Sequence, residues 1–289
     1  MNPLQHDSSE NEFDPTRSAG EDRHVFNEDF PWDSFDSEWY HGLNYASLRS
    51  DDREILCIVR DFFAEAYARD KPPTAWGGID VGAGANLYPS LCMLPFCERI
   101  RLHEFSVTNV AWLKQEIGGG YRASWDPFWR ALTEREAYAR VADPRERLQR
   151  VADVRQDSVF RLPDRDEGGS RDVFNGLASR AWDVGTMFFG AESMTTDLEE
   201  FKKAMWRFMH ALRPGAPFAA AFMMDSKGYT VGEVEFPAVA IKEHDVTECL
   251  DGLAYGVEVK VTGLEATLRK GYGGMIVATG RVSDDGGKA

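Results

Sequence analysis

Two glycines and a later acid are the residues in this chain best placed to do chemistry. The stretch GGIDVGAGAN, residues 77–86, ends an apolar run at Ile79 and Val81 and then turns on Gly82, Ala83 and Gly84. Small residues at a strand end let the backbone bend sharply and come close to a bound ligand. Twenty-four residues after Asp80 stands Glu104, in RIRLHEF. A carboxylate there can accept hydrogen bonds from both hydroxyls of a ribose, and Phe105 beside it can lie against an adenine ring. A glycine turn followed by an acid at the next strand end predicts a nucleoside-binding α/β enzyme. DVGAG is not a full dinucleotide fingerprint, because Leu87 stands where GxGxxG needs its last glycine. The Lys-Ser/Thr pair of a P-loop is also missing. Two more acids belong to the same reading. Asp153 could take the exocyclic amine of adenine, with the Val154 backbone amide offered to the ring. Asp80 lies inside an apolar run and needs a partner if buried. It could anchor the glycine turn or face a ligand's ammonium group.

These residues need strands to carry them. The pattern predicts a helix over 51–68, where Ile55, Val59, Phe62, Phe63 and Ala66 fall near one face, ended by Pro72 and Pro73. Strands follow at 75–81 and 99–104, with a short helix over 86–94 between them and another over 107–116. Residues 121–150 read as a longer insertion with an apolar face of Trp125, Phe128, Trp129 and Leu132, broken near Asp143-Pro144. A short strand lies within 150–157, then a polar, glycine-bearing loop at 164–170. WDVGTMFF (182–189) and PFAAAFMM (217–224) read as buried strands around a helix over 198–212, where Phe201, Ala204, Met205, Phe208, Met209 and Leu212 recur at helical spacing. The tail predicts a segment at 239–242, a helix near 246–255 and strands near 257–263 and 275–279. Alternating strands and helices imply a mostly parallel sheet covered on both faces, with ligands beyond the carboxyl ends of the strands. Gly82, Glu104, Asp153 and the 189–193 loop all fall at predicted strand ends.

Composition narrows the partners. Among 289 residues, 33 Lys and Arg stand against 48 Asp and Glu, a net charge of −15. Such a chain is a poor partner for nucleic acid or anionic lipid, and a small neutral or cationic substrate suits it better. Cys57, Cys92, Cys97 and Cys249 lack the paired spacing of a zinc site, so no metal is expected. They read as thiols in a reducing compartment. The start, MNPLQHDSSENEFD, is unlike a signal peptide, and no apolar run approaches a bilayer's width. A soluble cytoplasmic protein is expected. Residues 1–24 read as a disordered tail and 25–289 as a single domain. Within 25–70, a cap is expected, because Phe26, Phe30, Trp32, Phe35, Trp39, Tyr40 and Tyr45 crowd together. A monomer is favoured, with a homodimer left open.

The chain resembles the class I S-adenosylmethionine-dependent methyltransferases, and within them the branch containing nicotinamide, phenylethanolamine, indolethylamine and thioether methyltransferases. The resemblance runs from about Phe30 to Thr279. Tyr40-x-x-x-Asn44-Tyr45 resembles the amino-terminal Tyr-x-x-x-Tyr-Tyr motif, with Asn44 in place of its middle tyrosine. Residues 79–84, Ile-Asp-Val-Gly-Ala-Gly, resemble the glycine turn, and Glu104-Phe105-Ser106-x-x-Asn109 the acid-aromatic stretch. Trp125-Asp126-Pro127, Asp153-Val154 and Phe189-x-x-Glu192 are similar to further family positions. The resemblance implies a Rossmann-like, seven-stranded, mostly parallel sheet in an α/β/α sandwich with an aromatic cap. It implies S-adenosylmethionine as methyl donor and S-adenosylhomocysteine as product. It also implies that Tyr40 borders substrate and cofactor, Tyr45 holds the cofactor carboxylate, Gly82 and Gly84 pass beside the methionine part, and Asn109 supports its polar end. Glu104 would bind ribose, Phe105 adenine, and Glu192 would face the acceptor. The 226–238 stretch, with Tyr229 and Phe236, is expected to form a lid.

Methyl transfer from a sulfonium is an in-line displacement that needs alignment and dryness more than a strong base. Aromatic rings suit the cationic sulfonium. Glu192 is the first candidate to orient or deprotonate an acceptor, and His41 the second. Nitrogen is the expected acceptor atom, and carbon on an indole ring the main variant. An NAD-dependent oxidoreductase shares the glycine turn and the ribose acid. A nucleic-acid methyltransferase is disfavoured by charge and by Phe-Phe-Gly-Ala-Glu, residues 188–192, after the fourth strand.

Overall fold

Strand β1 (Trp76–Val81) is buried along nearly its whole length, and the fold grows outward from it. The computed structural model describes residues 26–70, 76–162, 182–263 and 273–284. The expectations for residues 1–24 and for the 164–170 loop lie outside them.

In chain order, α1 (Ser37–Asn44) and α2 (Ser50–Asp70) precede β1. Next come α3 (Tyr88–Met93), β2 (Cys97–Glu104), α4 (Val107–Gly118), α5 (Asp126–Leu132), α6 (Glu136–Ala139), α7 (Pro144–Val151) and β3 (Ala152–Gln156). The second half holds β4 (Val184–Phe188), α8 (Leu198–Ala211), β5 (Pro217–Met223), the short strands β6 (Tyr229–Val231) and β7 (Val234–Phe236), α9 (Glu243–Leu250), β8 (Ala254–Thr262) and β9 (Met275–Val282).

Seven strands form one sheet in the order β3-β2-β1-β4-β5-β9-β8. β1 to β5 run parallel, and β9 is antiparallel to both its neighbours. β4 and β5 are buried at every position, as strands covered on both faces must be. On one face α2 lays Ile55, Val59, Phe63 and Ala66 into the core that also takes Tyr88 and Leu91. On the other, α8 contributes Phe201, Met205 and Phe208. Each such fully buried apolar side chain contributes about 1.5–3 kcal/mol of transfer free energy. The expected seven-stranded Rossmann-like sandwich is the observed one.

Some local readings change. Asp143-Pro144 does break the insertion, between α6 and α7, and it also starts the second helix: Pro144 takes the first turn of α7, and the Asp143 side chain accepts from the Glu146 amide at 3.0 Å. The last helix, α9, ends at Leu250, so β8 begins at Ala254, before the expected 257.

The strand order reverses between β1 and β4. That is the switch point at which open α/β sheets bind ligands. The N-terminal segment covers it. Trp32 and Phe35 pack with Val231 and Phe236 of the β6–β7 hairpin, and the Trp32 and Phe236 rings stack at 5.3 Å. Hydrogen bonds fasten the segment down. Ser37 Oγ donates to Asn109 Oδ1 at 2.7 Å, and Ser106 Oγ donates to the Trp32 carbonyl at 2.8 Å.

Candidate active site

The loops after β1 and β4 meet at the switch point through glycine. Gly82 has φ +67° and Gly84 φ +56°, both in the left-handed region. A Cβ on Gly82 would stand 3.5 Å from the Gly190 Cα across the gap. The turn is tied to the next strand, because the Gly82 amide donates to the His103 carbonyl at 2.8 Å. β2 therefore ends level with the turn and delivers Glu104 to it. Glu104 Oε2 accepts from the Gly84 amide at 2.8 Å, and Oε1 from the Ser106 amide at 2.8 Å. Asn109 Nδ2 adds a longer contact of 3.4 Å. Burial raises the Glu104 pKa, and the Ser106 and Gly84 amides oppose the shift.

A cleft of about 780 Å3, open space at its mouth included, lies over these residues. Gly82, Ala83, Gly84, Glu104, Phe105 and Asn109 line it. Tyr40 and Tyr45 reach it from α1 and its end, and Tyr229 from the hairpin. The Tyr40 ring lies 6.0 Å from Tyr45 and 6.4 Å from Tyr229, so one wall is aromatic. Phe105 is 42% exposed, an uncovered ring at the place where a flat base would rest. Phe189 holds a left-handed φ of +55°, which costs a residue with a Cβ about 1–2 kcal/mol and sets its ring at the cleft.

Asp80 does not line the cleft. It is buried one strand position below the turn, where Ser90 Oγ donates to Oδ2 at 2.9 Å and Thr186 Oγ1 to Oδ1 at 2.8 Å. It thus pins β1 to β4 and α3 beneath the glycines. Burial pushes its carboxyl up to about 7, against the Thr186 and Ser90 hydrogen bonds that lower it. The folded protein then binds a proton that the unfolded chain releases near pH 4, so Asp80 makes stability fall as pH rises from about 4 to about 7. Asp80→Asn is expected to lessen that fall. Between pH 4.5 and pH 8 the variant should lose about 2 kcal/mol less than the wild type, since each tenfold change in proton affinity is worth ~1.4 kcal/mol and the site relaxes around the charge. Urea unfolding at both pH values measures this, and equal losses would refute it.

Four further expected site residues are not at the cleft. Asp153 and Val154 sit within β3, paired with Arg101 and Leu102, and Asp153 forms ion pairs with Arg101 and Arg155. β3 runs on to Gln156, so Asp157, Ser158 and Val159 line the cleft instead. Glu192 is fully buried and absent from the lining. Its Oε1 accepts from the Met223 amide at 3.0 Å and its carbonyl from the Val239 amide at 2.8 Å, so it joins the loop after β4 to the end of β5. His41 faces away, with Nε2 3.0 Å from Ser124 Oγ and its ring against Trp112 and Trp125. Burial and the Arg122 charge lower its pKa, which keeps it neutral.

Asn86 and His103 do not stand out in the sequence as site residues, yet both are buried and line the cleft. Asn86 Oδ1 accepts from the Tyr88 amide at 3.0 Å, while Nδ2 has no protein partner. His103 Nε2 has none either. A short polar residue in a glycine turn resembles ordinary turn chemistry, so only burial separates it.

These features fit S-adenosylmethionine. The glycines admit a chain close to the backbone, Glu104 suits a diol, Phe105 a base and the tyrosine wall a sulfonium. The orphaned Asn86 amide offers a further donor. Among the described residues, no group of His, Cys, Asp or Glu could hold a metal, and no helix is long and apolar enough to cross a membrane.

Comparison with known proteins agrees with this geometry. The chain is 25% identical over 198 residues to phenylethanolamine N-methyltransferase of Rattus norvegicus, covering 67% of each chain. It is 24% identical over 184 residues to indolethylamine N-methyltransferase of Oryctolagus cuniculus, covering 62% of this chain and 66% of that one. A solved S-adenosylmethionine-dependent methyltransferase from Clostridium acetobutylicum shares the fold, with a TM-score of 0.50 and 11% identity over 86% of this chain and 97% of that one. A family profile, described as the NNMT/PNMT/TEMT family, matches residues 24–278. The chain belongs to the NNMT/PNMT/TEMT family and is a class I S-adenosylmethionine-dependent methyltransferase.

Proposed function

We propose that the protein methylates the nitrogen of a small aromatic amine. The observation that carries this is the aromatic wall of Tyr40, Tyr45 and Tyr229 on the same cleft as the glycine turn and Glu104. When bound, S-adenosylmethionine supplies an electrophilic methyl group on a sulfonium. The chain's own residues supply position. Glu104 and Phe105 take the nucleoside, and Tyr45, Asn86 and Asn109 the amino-acid end. Tyr40 borders both donor and acceptor, and the Trp32–Phe236 stack closes the cover that excludes water. The net charge of −15 favours a cationic acceptor in the protein's neighbourhood. Methylation at carbon depended on Glu192 holding a ring N–H, and the Met223 amide occupies an oxygen of that carboxylate inside the protein. A monomer in the cytoplasm suits a chain whose own segment covers its cleft.

Calorimetric titration with S-adenosylmethionine, S-adenosylhomocysteine and NAD tests the first half. Micromolar binding of the first two and none of NAD is expected. Transfer of labelled methyl to 2-phenylethylamine or tryptamine, with the label on the amine nitrogen, tests the second. Label on a ring carbon would replace nitrogen by carbon, and NAD binding alone would remove the whole reading.

A further inference from the structure

A second, smaller cavity adjoins the cleft. Its volume is about 10 Å3, room for one water-sized group such as an amino head, and Tyr40, Asn44, Tyr45, Asp52, Phe189, Met223 and Met275 line it. Tyr40, Tyr45 and Phe189 belong to both spaces. Phe189 and Met223 stand at the ends of β4 and β5, and Met275 opens β9 beside them, so the cavity lies at the carboxyl edge of the parallel strands. Rings and thioethers make most of its wall. The charged group in that wall is Asp52.

Asp52 is 2% exposed, in the first turn of α2. A negative charge there suits the helix dipole, but that alone does not call for burial. Nor does an ion pair explain it. Arg49 Nε lies 3.6 Å from Asp51 Oδ1, so the nearby cation is engaged by the neighbouring acid. Among the described residues, no ion pair reaches Asp52 itself. The buried Tyr88 hydroxyl reaches the Asp52 carboxyl and favours its charged form, but it is a neutral partner and does not balance that charge. A buried carboxylate without a cation is costly, and burial of this kind at a cavity wall marks a group with a task.

We propose that Asp52 receives the amino group of the methyl acceptor in this cavity and makes the enzyme selective for basic amines. The inference rests on the nitrogen-methylation reading above. An amine held by Asp52 lies between Tyr40, Tyr45 and Phe189, whose rings also border the cleft, so its nitrogen can face the donor's methyl group. The Asp52 carboxylate first takes one proton from the ammonium, which frees the nitrogen lone pair. That lone pair then attacks the methyl: an N–C bond forms as the methyl–sulfur bond breaks, its electron pair stays on sulfur, and the nitrogen leaves carrying the positive charge as a methylammonium. Burial, followed by the Asp51 charge, pushes the Asp52 carboxyl up to about 7, so it can both pair with an ammonium and accept its proton near neutrality.

The test is binding, read apart from turnover. Full-length protein saturated with S-adenosylhomocysteine is titrated calorimetrically with 2-phenylethylamine, tryptamine and the neutral 2-phenylethanol. The wild type should bind at least one amine ten or more times more tightly than the alcohol. Asp52→Asn should weaken that amine at least tenfold, with S-adenosylhomocysteine affinity unchanged within twofold. In turnover, the acceptor KM should rise more than kcat falls. Three results would overturn the proposal: no amine bound by the saturated wild type, amine binding unchanged in Asp52→Asn, or an equal loss of S-adenosylhomocysteine affinity, which would assign Asp52 to the donor. If Asp52→Asn does not fold, the wild-type comparison decides, and equal affinity for amine and alcohol counts against it. A wild type that fails to bind S-adenosylhomocysteine at all refutes the methyltransferase reading instead.

Discussion

Glu104→Ala should weaken S-adenosylhomocysteine binding at least 100-fold, about 2.7 kcal/mol. The carboxylate has two tasks. It presents charge to a diol, where charge-assisted hydrogen bonds are about twice as strong as neutral ones. It also gathers the Gly84 and Ser106 amides, each at 2.8 Å, and so holds the glycine turn against the start of α4. Alanine removes the acceptor and leaves both amides without it, at a cost of about 1–3 kcal/mol for each one that water cannot reach. Glu104→Gln separates the two tasks. It keeps the shape but turns one acceptor into a donor that meets an amide donor, and a loss of about tenfold is expected, within the range for one neutralised hydrogen-bond partner. Binding should also weaken on acidification. The ionised form accepts the hydrogen bonds, and burial raises the Glu104 pKa, so affinity is lost as pH falls through that raised value. Calorimetry of both variants, with circular dichroism to confirm folding, gives the answer. Unchanged affinity in Glu104→Ala would remove the ribose contact from the reading.

The sequence was most legible where chemistry and strand ends coincide. Gly82, Gly84 and Glu104 could be read because a left-handed turn selects glycine and an apolar strand ends abruptly at an acid. Asn109 came only through the resemblance of Glu104-Phe105-Ser106-x-x-Asn109 to a family stretch, and the Ser106 side chain, at the start of α4, accepts from the Asn109 amide at 3.4 Å. Register was harder. Asp153-Val154 lies in an alternating strand whose length the sequence does not mark. The strand's real end is set by the pairing of Gln156 with Glu104, beyond the Leu102–Val154 pair, so the cleft receives the residues that follow Gln156. Glu192 misled because a loop acid after a strand faces a ligand or the interior with equal ease, and only the amide of Met223 decides. His41 lies one residue from Tyr40, but neighbours on a helix point about 100° apart. That angle sends Tyr40 to the cleft and His41 to Trp112 and Trp125. Asp52 shows the opposite limit. In a helix's first turn it reads as ordinary dipole compensation, and only the fold brings it to one cavity with the distant Phe189, Met223 and Met275.

Gly185→Val should destabilise the protein by about 3 kcal/mol, the upper part of the range for overpacking a core. Gly185 sits in β4 between Ile79 of β1 and Phe218 of β5. Its backbone is ordinary for a strand, so its φ does not require glycine. Space does. A Cβ there would lie 2.7 Å from Leu212 Cδ2 and 2.8 Å from Phe208 Cε2. Both neighbours are fully buried, so neither can swing into solvent. A β-branched residue would gain up to ~1 kcal/mol from strand preference and a less free unfolded chain, too little to offset the clash. The glycine lets the end of α8 settle onto β4, and β4 carries Phe189 and Gly190 to the switch point. Urea unfolding of Gly185→Val, Leu212→Ala and the double variant tests this directly. Leu212→Ala removes two of the three nearest atoms, so the double variant should lose less than the sum of the singles by at least about 1 kcal/mol, as contacting residues do. Simple additivity would mean that the space around Gly185 relaxes elsewhere, and that the approach of α8 does not depend on the missing side chain.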